Sequence, residues 1–194
     1  MKRKTLNKLN EEDGLFLTDK GIIHNYLSVY EKLFSPLRDR EINIFEVGYQ
    51  YGGSCRLWEK YFPLAHIKAI DIKSKATEEE IGAAAVYKIK TDIKTGSRVS
   101  MEIRNIMDLD TTYFKNFPLD IAIDDGSHKI EDQVHFIKIA YPALREGGIL
   151  IIEDISDIWA KKKIFKDIHI PFEIISNRYF YTEHEDNVLV IFRK

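Results

Sequence analysis

The chain has 194 residues, of which 44% are hydrophobic and 12% aromatic, and its formal net charge is −2. This size and composition favour one globular domain over two domains or a disordered chain. The charge argues against a dedicated nucleic-acid binder, because such proteins usually carry a basic excess. No apolar run is long enough for a bilayer, and a single cysteine excludes internal disulfides, so we expect a cytoplasmic protein without a membrane partner.

Strands alternate with helices along the chain, which is typical of a parallel α/β sheet. Apolar residues at helical spacing predict a helix over 19–34 that Pro36 ends. The elements predicted next are a strand at 42–47, a helix through Leu57, Trp58 and Tyr61, a strand at 66–70, a strand at 120–124, a helix at 130–144 capped by Gly147 and Gly148, a strand at 149–153, and an antiparallel pair at Phe172–Ser176 and 188–192. The sequence thus predicts a doubly wound, mostly parallel Rossmann-like sheet with a C-terminal antiparallel strand pair.

Residues 73–100 form a stretch that this pattern explains poorly. A helix is predicted at 78–85, followed by strand-like alternation that Gly96 interrupts. We expect a hairpin-like excursion that leads into a sheet strand near 101–104. The predicted organisation is one domain over 1–194, with a tail and capping helix over 1–40 and an insertion at 73–100.

The carboxyl ends of the strands are where doubly wound sheets bind ligands. At the first, EVGYQYGGS spans 46–54; glycines allow close approach of the backbone, and the helix start offers free N–H groups. Glu46 precedes the first glycine, a placement that suits an ammonium group better than a pyrophosphate. Asp71 closes the next strand, where a carboxylate can bind both ribose hydroxyls. Together they predict a nucleoside carrying an amino acid, which describes S-adenosylmethionine, although the loop alone also fits a plain strand–turn–helix.

Four carboxylates lie at the ends of two further strands: Asp124, Asp125, Glu153 and Asp154. If these strands are neighbours, their ends lie roughly 5 Å apart. Like charges at that distance require a divalent cation or strongly raised pKa values. Oxygen ligands favour Mg²⁺, Mn²⁺ or Ca²⁺ over zinc. The alternative interpretation is a set of helix-capping acids.

The runs EVGYQYGGSCRLWEKYFPLAHIKAIDI, DIAIDDGSH and LREGGILIIEDI resemble class I methyltransferases related to the macrolide-antibiotic sugar O-methyltransferases. The upstream run TDKGIIHNYLSVYEKLF is also similar, so the resemblance covers roughly 18–155. It implies a Rossmann-like sheet, S-adenosylmethionine as cofactor and, as in several members, Mg²⁺ for methylation of a sugar hydroxyl. The sequence departs from the family pattern at Asn105, where an acidic residue is usual, and along 73–100.

The resemblance also implies roles for residues by position. Asp125, Glu153 and Asp154 match the ligands of Mg²⁺ (or Mn²⁺), and His128 matches the general base. Its place at the opening of a helix favours the neutral imidazole that a base requires. Glu46, Gly48 and Asp71 match residues around the methionine and ribose, and Asn105 and Asp108 fall near the adenine. The predicted cofactor-binding residues are Glu46, Gly48, Gly53, Ser54, Asp71, Asn105, Asp108 and Asp124.

The leading interpretation is an S-adenosylmethionine-dependent, metal-assisted O-methyltransferase that acts on a sugar or glycoside hydroxyl. Its partner would be a small-molecule or glycan acceptor, and homo-oligomerisation stays open. Trp159, Tyr179, Phe180 and Tyr181 are candidates to line a sugar pocket, with simple packing as the alternative. An NAD(P)-dependent oxidoreductase is disfavoured by the imperfect glycine motif and the lack of a Tyr-x-x-x-Lys pair. A non-catalytic protein of the same fold is the third interpretation, because a retained motif does not prove turnover.

Overall fold

The computed structural model describes residues 3–73, 77–177 and 187–194. The N-terminal part carries only short elements before its first long helix. Its elements are helix α1 at Leu6–Leu9, strands β1 at Glu11–Glu12 and β2 at Leu15–Phe16, a 3₁₀ turn at Asp19–Gly21, and helix α2 at Leu27–Phe34. Strands β1 and β2 pair antiparallel.

The rest of the described chain alternates strands and helices. In chain order these are β3 at Asn43–Val47, α3 at Gly53–Tyr61, β4 at His66–Asp71, α4 at Glu78–Val86, β5 at Val99–Ile103, β6 at Leu119–Asp124, α5 at Ile130–Ala140, β7 at Leu144–Ile152, α6 at Ile158–Lys166, β8 at Phe172–Ser176 and β9 at Val188–Arg193.

Seven of the described strands form one sheet in the order β5-β4-β3-β6-β7-β9-β8. The first five of these pair parallel, and β9 pairs antiparallel with both β7 and β8. The predicted doubly wound sheet with its C-terminal antiparallel pair is confirmed.

Both faces of this sheet are covered. Side chains of β3 alternate between two apolar clusters: Ile44 joins Trp58 of α3 on one face, and Phe45 joins Phe136 of α5 on the other. All six residues of β6 are buried, as expected for a central parallel strand covered on both sides. Burial on both faces leaves the ends of the strands as the place for polar chemistry.

Two predicted helices are shorter than expected. The helix predicted over 19–34 begins only at Leu27, because Asn25 has a left-handed backbone (φ 54°) that interrupts helical geometry. The helix predicted over 130–144 ends at Ala140, and Gly147 and Gly148 lie inside β7 rather than in a cap. The N–H of Gly147 donates to the carbonyl of Lys194, so the C-terminus holds this part of β7.

The hairpin predicted within 73–100 is wrong for the described residues of that stretch. Helix α4 does form there, and Thr77 and Glu80 cap its start reciprocally. The residues after α4 run as irregular chain, with an isolated parallel bridge between Ile89 and Phe16, and lead into the edge strand β5. None of the helices in the described part of the chain combines the length and apolar character needed to span a membrane.

Candidate active site

The strand ends that carry the predicted site residues meet at one edge of the sheet. The last residue of β3, Val47, is paired with Asp124 of β6, and Asp124 is paired with Ile152 of β7. Backbone hydrogen bonds of 2.9 Å continue past the strands, from Asp125 N to Val47 O and from Glu153 N to Asp124 O. The predicted convergence of acidic residues at neighbouring strand ends is therefore present.

The glycine loop after β3 packs directly on the loop after β6. Gly48 has a φ of 94°, and a Cβ at this position would lie 2.0 Å from the carbonyl oxygen of Asp125. A Cβ on Gly53 would similarly lie 1.8 Å from the carbonyl oxygen of Leu17. Both positions therefore require glycine. Gly48 allows the loop to contact the carboxylates at the strand ends, which we call the acidic cluster (Glu46, Asp124, Asp125, Glu153 and Asp154). Gly53 allows α3 to contact residues 3–34, the N-terminal segment.

Asp71 anchors the same loop from the neighbouring strand. Its Oδ2 accepts the N–H groups of Tyr49 and Gln50, each at 2.9 Å. A carboxylate has further lone pairs, so Asp71 keeps acceptor capacity for hydroxyl groups. The other predicted cofactor residues differ in exposure: Ser54 is buried at the start of α3, whereas Asn105 and Asp108 are exposed beyond β5.

Two buried carboxylates at this edge each leave one oxygen without a hydrogen-bond partner among the described residues. Glu46 accepts from Trp58 Nε1 at 2.9 Å and from Cys55 Sγ at 3.6 Å, and its Oε1 lacks such a bond. Burial raises the pKa of Glu46 to about 6, against the opposing effect of Lys20. Burial likewise raises the pKa of Asp124 to about 7. Buried acceptors without partners are typical of sites that bind a ligand.

Asp125, His128 and Asp154 form a second group, whose ligand atoms all lie within 4.8 Å of one another. His128 Nε2 lies 3.6 Å from Asp125 Oδ1 and 3.5 Å from Asp154 Oδ2. Both His128 and Asp154 have left-handed backbones, with φ of 58° and 54°. Such conformations cluster at functional sites. The two carboxylates at this spacing are oxygen donors that suit a divalent cation such as Mg²⁺ or Mn²⁺.

The charge state of His128 differs from the one expected at a helix start. Asp125 is the main cause that raises the pKa of His128 to about 9, and Asp154 and Asp124 add to it. Because these three carboxylates act on the ring, their field outweighs that of the helix. The imidazole is therefore protonated at neutral pH unless another positive charge offsets the carboxylates.

Glu153 lies apart from that group and contacts the N-terminal segment instead. Its Oε2 accepts from Lys20 Nζ at 2.7 Å, and its Oε1 accepts from Tyr30 OH at 2.6 Å. Lys20 also donates to Asp125 Oδ2 and lies 3.9 Å from Glu46 Oε1. Burial acts to lower the pKa of Lys20, but these carboxylates raise it well above its ordinary value. The motifs at the strand ends gave no sign of Lys20, which only the upstream resemblance includes.

The N-terminal segment also surrounds Asp154. Tyr26 OH donates to Asp154 Oδ1 at 2.7 Å, and His24 Nδ1 lies 3.5 Å from the same oxygen and 2.6 Å from Asn187 Oδ1. From the sequence, Tyr26 and His24 belong to the upstream run that resembles the family and are expected in a helix that could cover the cofactor, and Asn187 is a turn candidate. Trp159 is 78% exposed at the start of α6, and the other three predicted pocket aromatics, Tyr179, Phe180 and Tyr181, lie outside the described residues.

No protein-family model matches the chain. The 8-demethyl-8-alpha-L-rhamnosyl tetracenomycin-C 2'-O-methyltransferase of Streptomyces olivaceus is 31% identical over 145 residues, which are 71% of this chain and 35% of the relative. Demethylmacrocin O-methyltransferase of Streptomyces fradiae is 32% identical over 155 residues, 76% of this chain and 36% of the relative. The chain thus spans about a third of the length of the curated relatives it matches.

Solved structures show the same fold. The MycE methyltransferase from the mycinamycin biosynthetic pathway, solved in complex with Mg and SAH, has a TM-score of 0.68 at 18% identity over 100% of this chain and 55% of its own. An rRNA methylase from Streptococcus thermophilus has a TM-score of 0.54 at 14% identity, over 86% of this chain and 94% of its own. The chain therefore has the fold of the class I methyltransferases. Within that class, its sequence is similar to the macrolide sugar O-methyltransferases.

Proposed function

We propose that this chain is an S-adenosylmethionine-dependent, divalent-metal-assisted O-methyltransferase that acts on a sugar or glycoside hydroxyl. The observation that carries the proposal is the contact between Gly48 and Asp125. It joins the predicted cofactor loop to the group of Asp125, His128 and Asp154, so a methyl donor and an acceptor would lie side by side. The names of the relatives, which include O-methyltransferases of a rhamnosyl tetracenomycin and of demethylmacrocin, support a glycoside as acceptor.

The cofactor side consists of the glycine loop and the carboxylates beside it. Asp71 would accept hydrogen bonds from the ribose hydroxyls, and Glu46 would face the ammonium group of the methionine. Gly48, Gly53, Ser54 and Asp124 would line the pocket around this ligand, while the exposed Asn105 and Asp108 would border the adenine end. S-adenosylmethionine supplies a methyl group that its sulfonium already activates.

The acceptor side consists of Asp125, Asp154 and His128. The two aspartates would hold the divalent cation, with Glu153 as the third ligand predicted from the sequence, although both oxygens of Glu153 already accept hydrogen bonds. A cation such as Mg²⁺ supplies Lewis-acid chemistry, which lowers the pKa of a hydroxyl. Its charge would also offset the carboxylates that raise the pKa of His128, and so favour the neutral imidazole.

His128 would then act as the general base. Its Nε2 faces the oxygens of Asp125 and Asp154 and would take the proton of the acceptor hydroxyl. As this O–H bond breaks, the oxygen would form a bond to the methyl carbon while the carbon–sulfur bond breaks. The products would be a methyl ether and S-adenosylhomocysteine, with the proton held on His128.

A glycoside library incubated with the protein and S-adenosylmethionine tests this function. We expect methyl transfer in the presence of Mg²⁺ or Mn²⁺ and none in excess chelator. His128→Ala should lower turnover by roughly 10²–10⁴-fold while S-adenosylhomocysteine and Mn²⁺ still bind. The matched control is His66→Ala, because His66 is exposed at the opposite end of its strand.

The outcomes separate the parts of the proposal. Full activity in excess chelator would remove the metal from the mechanism, and near-normal turnover of His128→Ala would remove the base. Calorimetric binding of NAD in place of S-adenosylmethionine would favour an oxidoreductase, and cofactor binding without transfer would favour a non-catalytic protein. Composition supports a cytoplasmic location and one domain over 1–194, and both stay predictions.

A further inference from the structure

A lysine side chain is completely buried within the acidic cluster of the proposed site. Lys20 is 1% exposed, and lysine is almost never buried to this degree unless it is paired. Its ammonium group contacts Asp125 and Glu153 and lies 3.9 Å from Glu46. These carboxylates come from β3, from the end of β6 and from the end of β7, so a single ammonium group faces three neighbouring strand ends.

The backbone holds Lys20 in this position. Its N–H donates to the Thr18 side chain at 3.4 Å, and its carbonyl accepts from Tyr26 N at 2.7 Å. Thr18 is fixed in turn by Asn10, whose side-chain amide makes two hydrogen bonds with the Thr18 backbone at 2.9 and 3.0 Å. The ammonium group is therefore a fixed charge, unlike that of a mobile surface lysine.

The cluster divides into two sides. Lys20 lies on the side of Glu46, Glu153 and Asp125 Oδ2, whereas Asp125 Oδ1 and Asp154 Oδ2 face His128. A divalent cation on the His128 side would share the Asp125 carboxylate with Lys20. The positive charge of Lys20 would repel that cation. It would also offset the charge of Glu46 and Glu153, which could otherwise bind a second cation.

We propose that Lys20 is the built-in cation of this cluster and limits the site to one divalent cation. Lys20 is thus a positioning residue that acts through the carboxylates. The proposal rests on the proposed function, because it assumes that Asp125 and Asp154 hold a metal. An ordinary buried salt bridge would contribute to stability alone and would leave metal binding unchanged.

Mn²⁺ titration of the full chain by calorimetry, together with thermal melts, tests this role. We expect Lys20→Met to bind Mn²⁺ at least about tenfold more tightly than wild type, or to bind a second equivalent, because a nearby positive charge is lost. Mn²⁺ should also raise the melting temperature of Lys20→Met more than that of wild type. Lys20→Arg, which keeps the charge, should match wild type in stoichiometry.

A double variant keeps the test decisive if Lys20→Met does not fold. Lys20→Met/Glu46→Gln removes one negative charge with the positive one and leaves Asp125, Glu153 and Asp154 unchanged. It should bind one Mn²⁺ with an affinity close to that of wild type. Unchanged or weaker Mn²⁺ binding by folded Lys20→Met, or loss of Mn²⁺ binding by the folded double variant, would overturn the role of Lys20. Failure of wild type to bind Mn²⁺ would instead overturn the proposed function.

Discussion

Gly48→Ala gives the most direct test of the contact between the glycine loop and the acidic cluster. The new Cβ would lie 2.0 Å from the Asp125 carbonyl oxygen, far inside van der Waals distance, and φ would be 94°. A left-handed backbone costs an ordinary residue about 1–2 kcal/mol. Overpacking costs about 1–3 kcal/mol more. We expect the free energy of unfolding to fall by about 2–5 kcal/mol, which at this chain length lowers the melting temperature by roughly 4–20 °C.

The matched control is Gly82→Ala in α4. A Cβ there meets nothing within 4 Å, and the residue is exposed inside a helix. Alanine should stabilise that helix by about 0.5–1 kcal/mol. Differential scanning calorimetry of both variants should therefore show shifts of opposite sign. A Gly48→Ala protein that melts at the wild-type temperature would refute the packing of the loop on Asp125.

Two further predictions concern single carboxylates at the same edge of the sheet. Asp71→Ala should weaken S-adenosylmethionine binding by about 1–3 kcal/mol in calorimetry, because the variant loses a ribose acceptor and the anchor of the loop. The control Asp167→Ala, on the surface, should leave the affinity unchanged. Equal affinities of the two variants would contradict this role of Asp71. Asp124 has a folded pKa of about 7, above its unfolded value. The native state therefore binds more protons than the unfolded state between about pH 4 and 7. As a result, the stability of wild type falls as pH rises through that window. Metal-free Asp124→Asn should lose this slope and exceed wild type at pH 8 by on the order of 4 kcal/mol in urea melts. Parallel pH profiles would count against it.

The sequence was sufficient to predict the sheet because its central strands are short apolar runs that end in acids. Strand β6 is buried throughout and its last residue is Asp124, so pattern and structure agree. The predicted and observed elements differ where local backbone geometry or long-range pairing determines the secondary structure. Asn25 interrupts a stretch with correct helical spacing, and the spacing of apolar residues carries no information about its left-handed φ. Gly147 and Gly148 suggest a cap locally, but pairing with the C-terminus places them in a strand.

The candidate site was predictable in part for the same reason. Asp125 and Asp154 follow predicted strand ends, and the rules for doubly wound sheets bring those ends together. Lys20 could not be found in this way, because its partners lie 105 and 133 residues further along the chain. Lysine side chains are mostly exposed in folded proteins, so the residue type alone predicts a surface position for Lys20. Its burial follows from the docking of the N-terminal segment over the strand ends.

Cys55 gives the protein an internal reporter of motion in the glycine loop. It is the single cysteine of the chain, it is completely buried in α3, and its thiol lies beside the Glu46 carboxylate. Burial and that carboxylate raise the pKa of the thiol well above its ordinary value, so little thiolate forms at neutral pH. Alkylation therefore requires α3 to open away from β3. The rate of thiol labelling then measures how often α3 moves away from β3 beneath the glycine loop. A bound ligand that holds the loop in place would lower this rate.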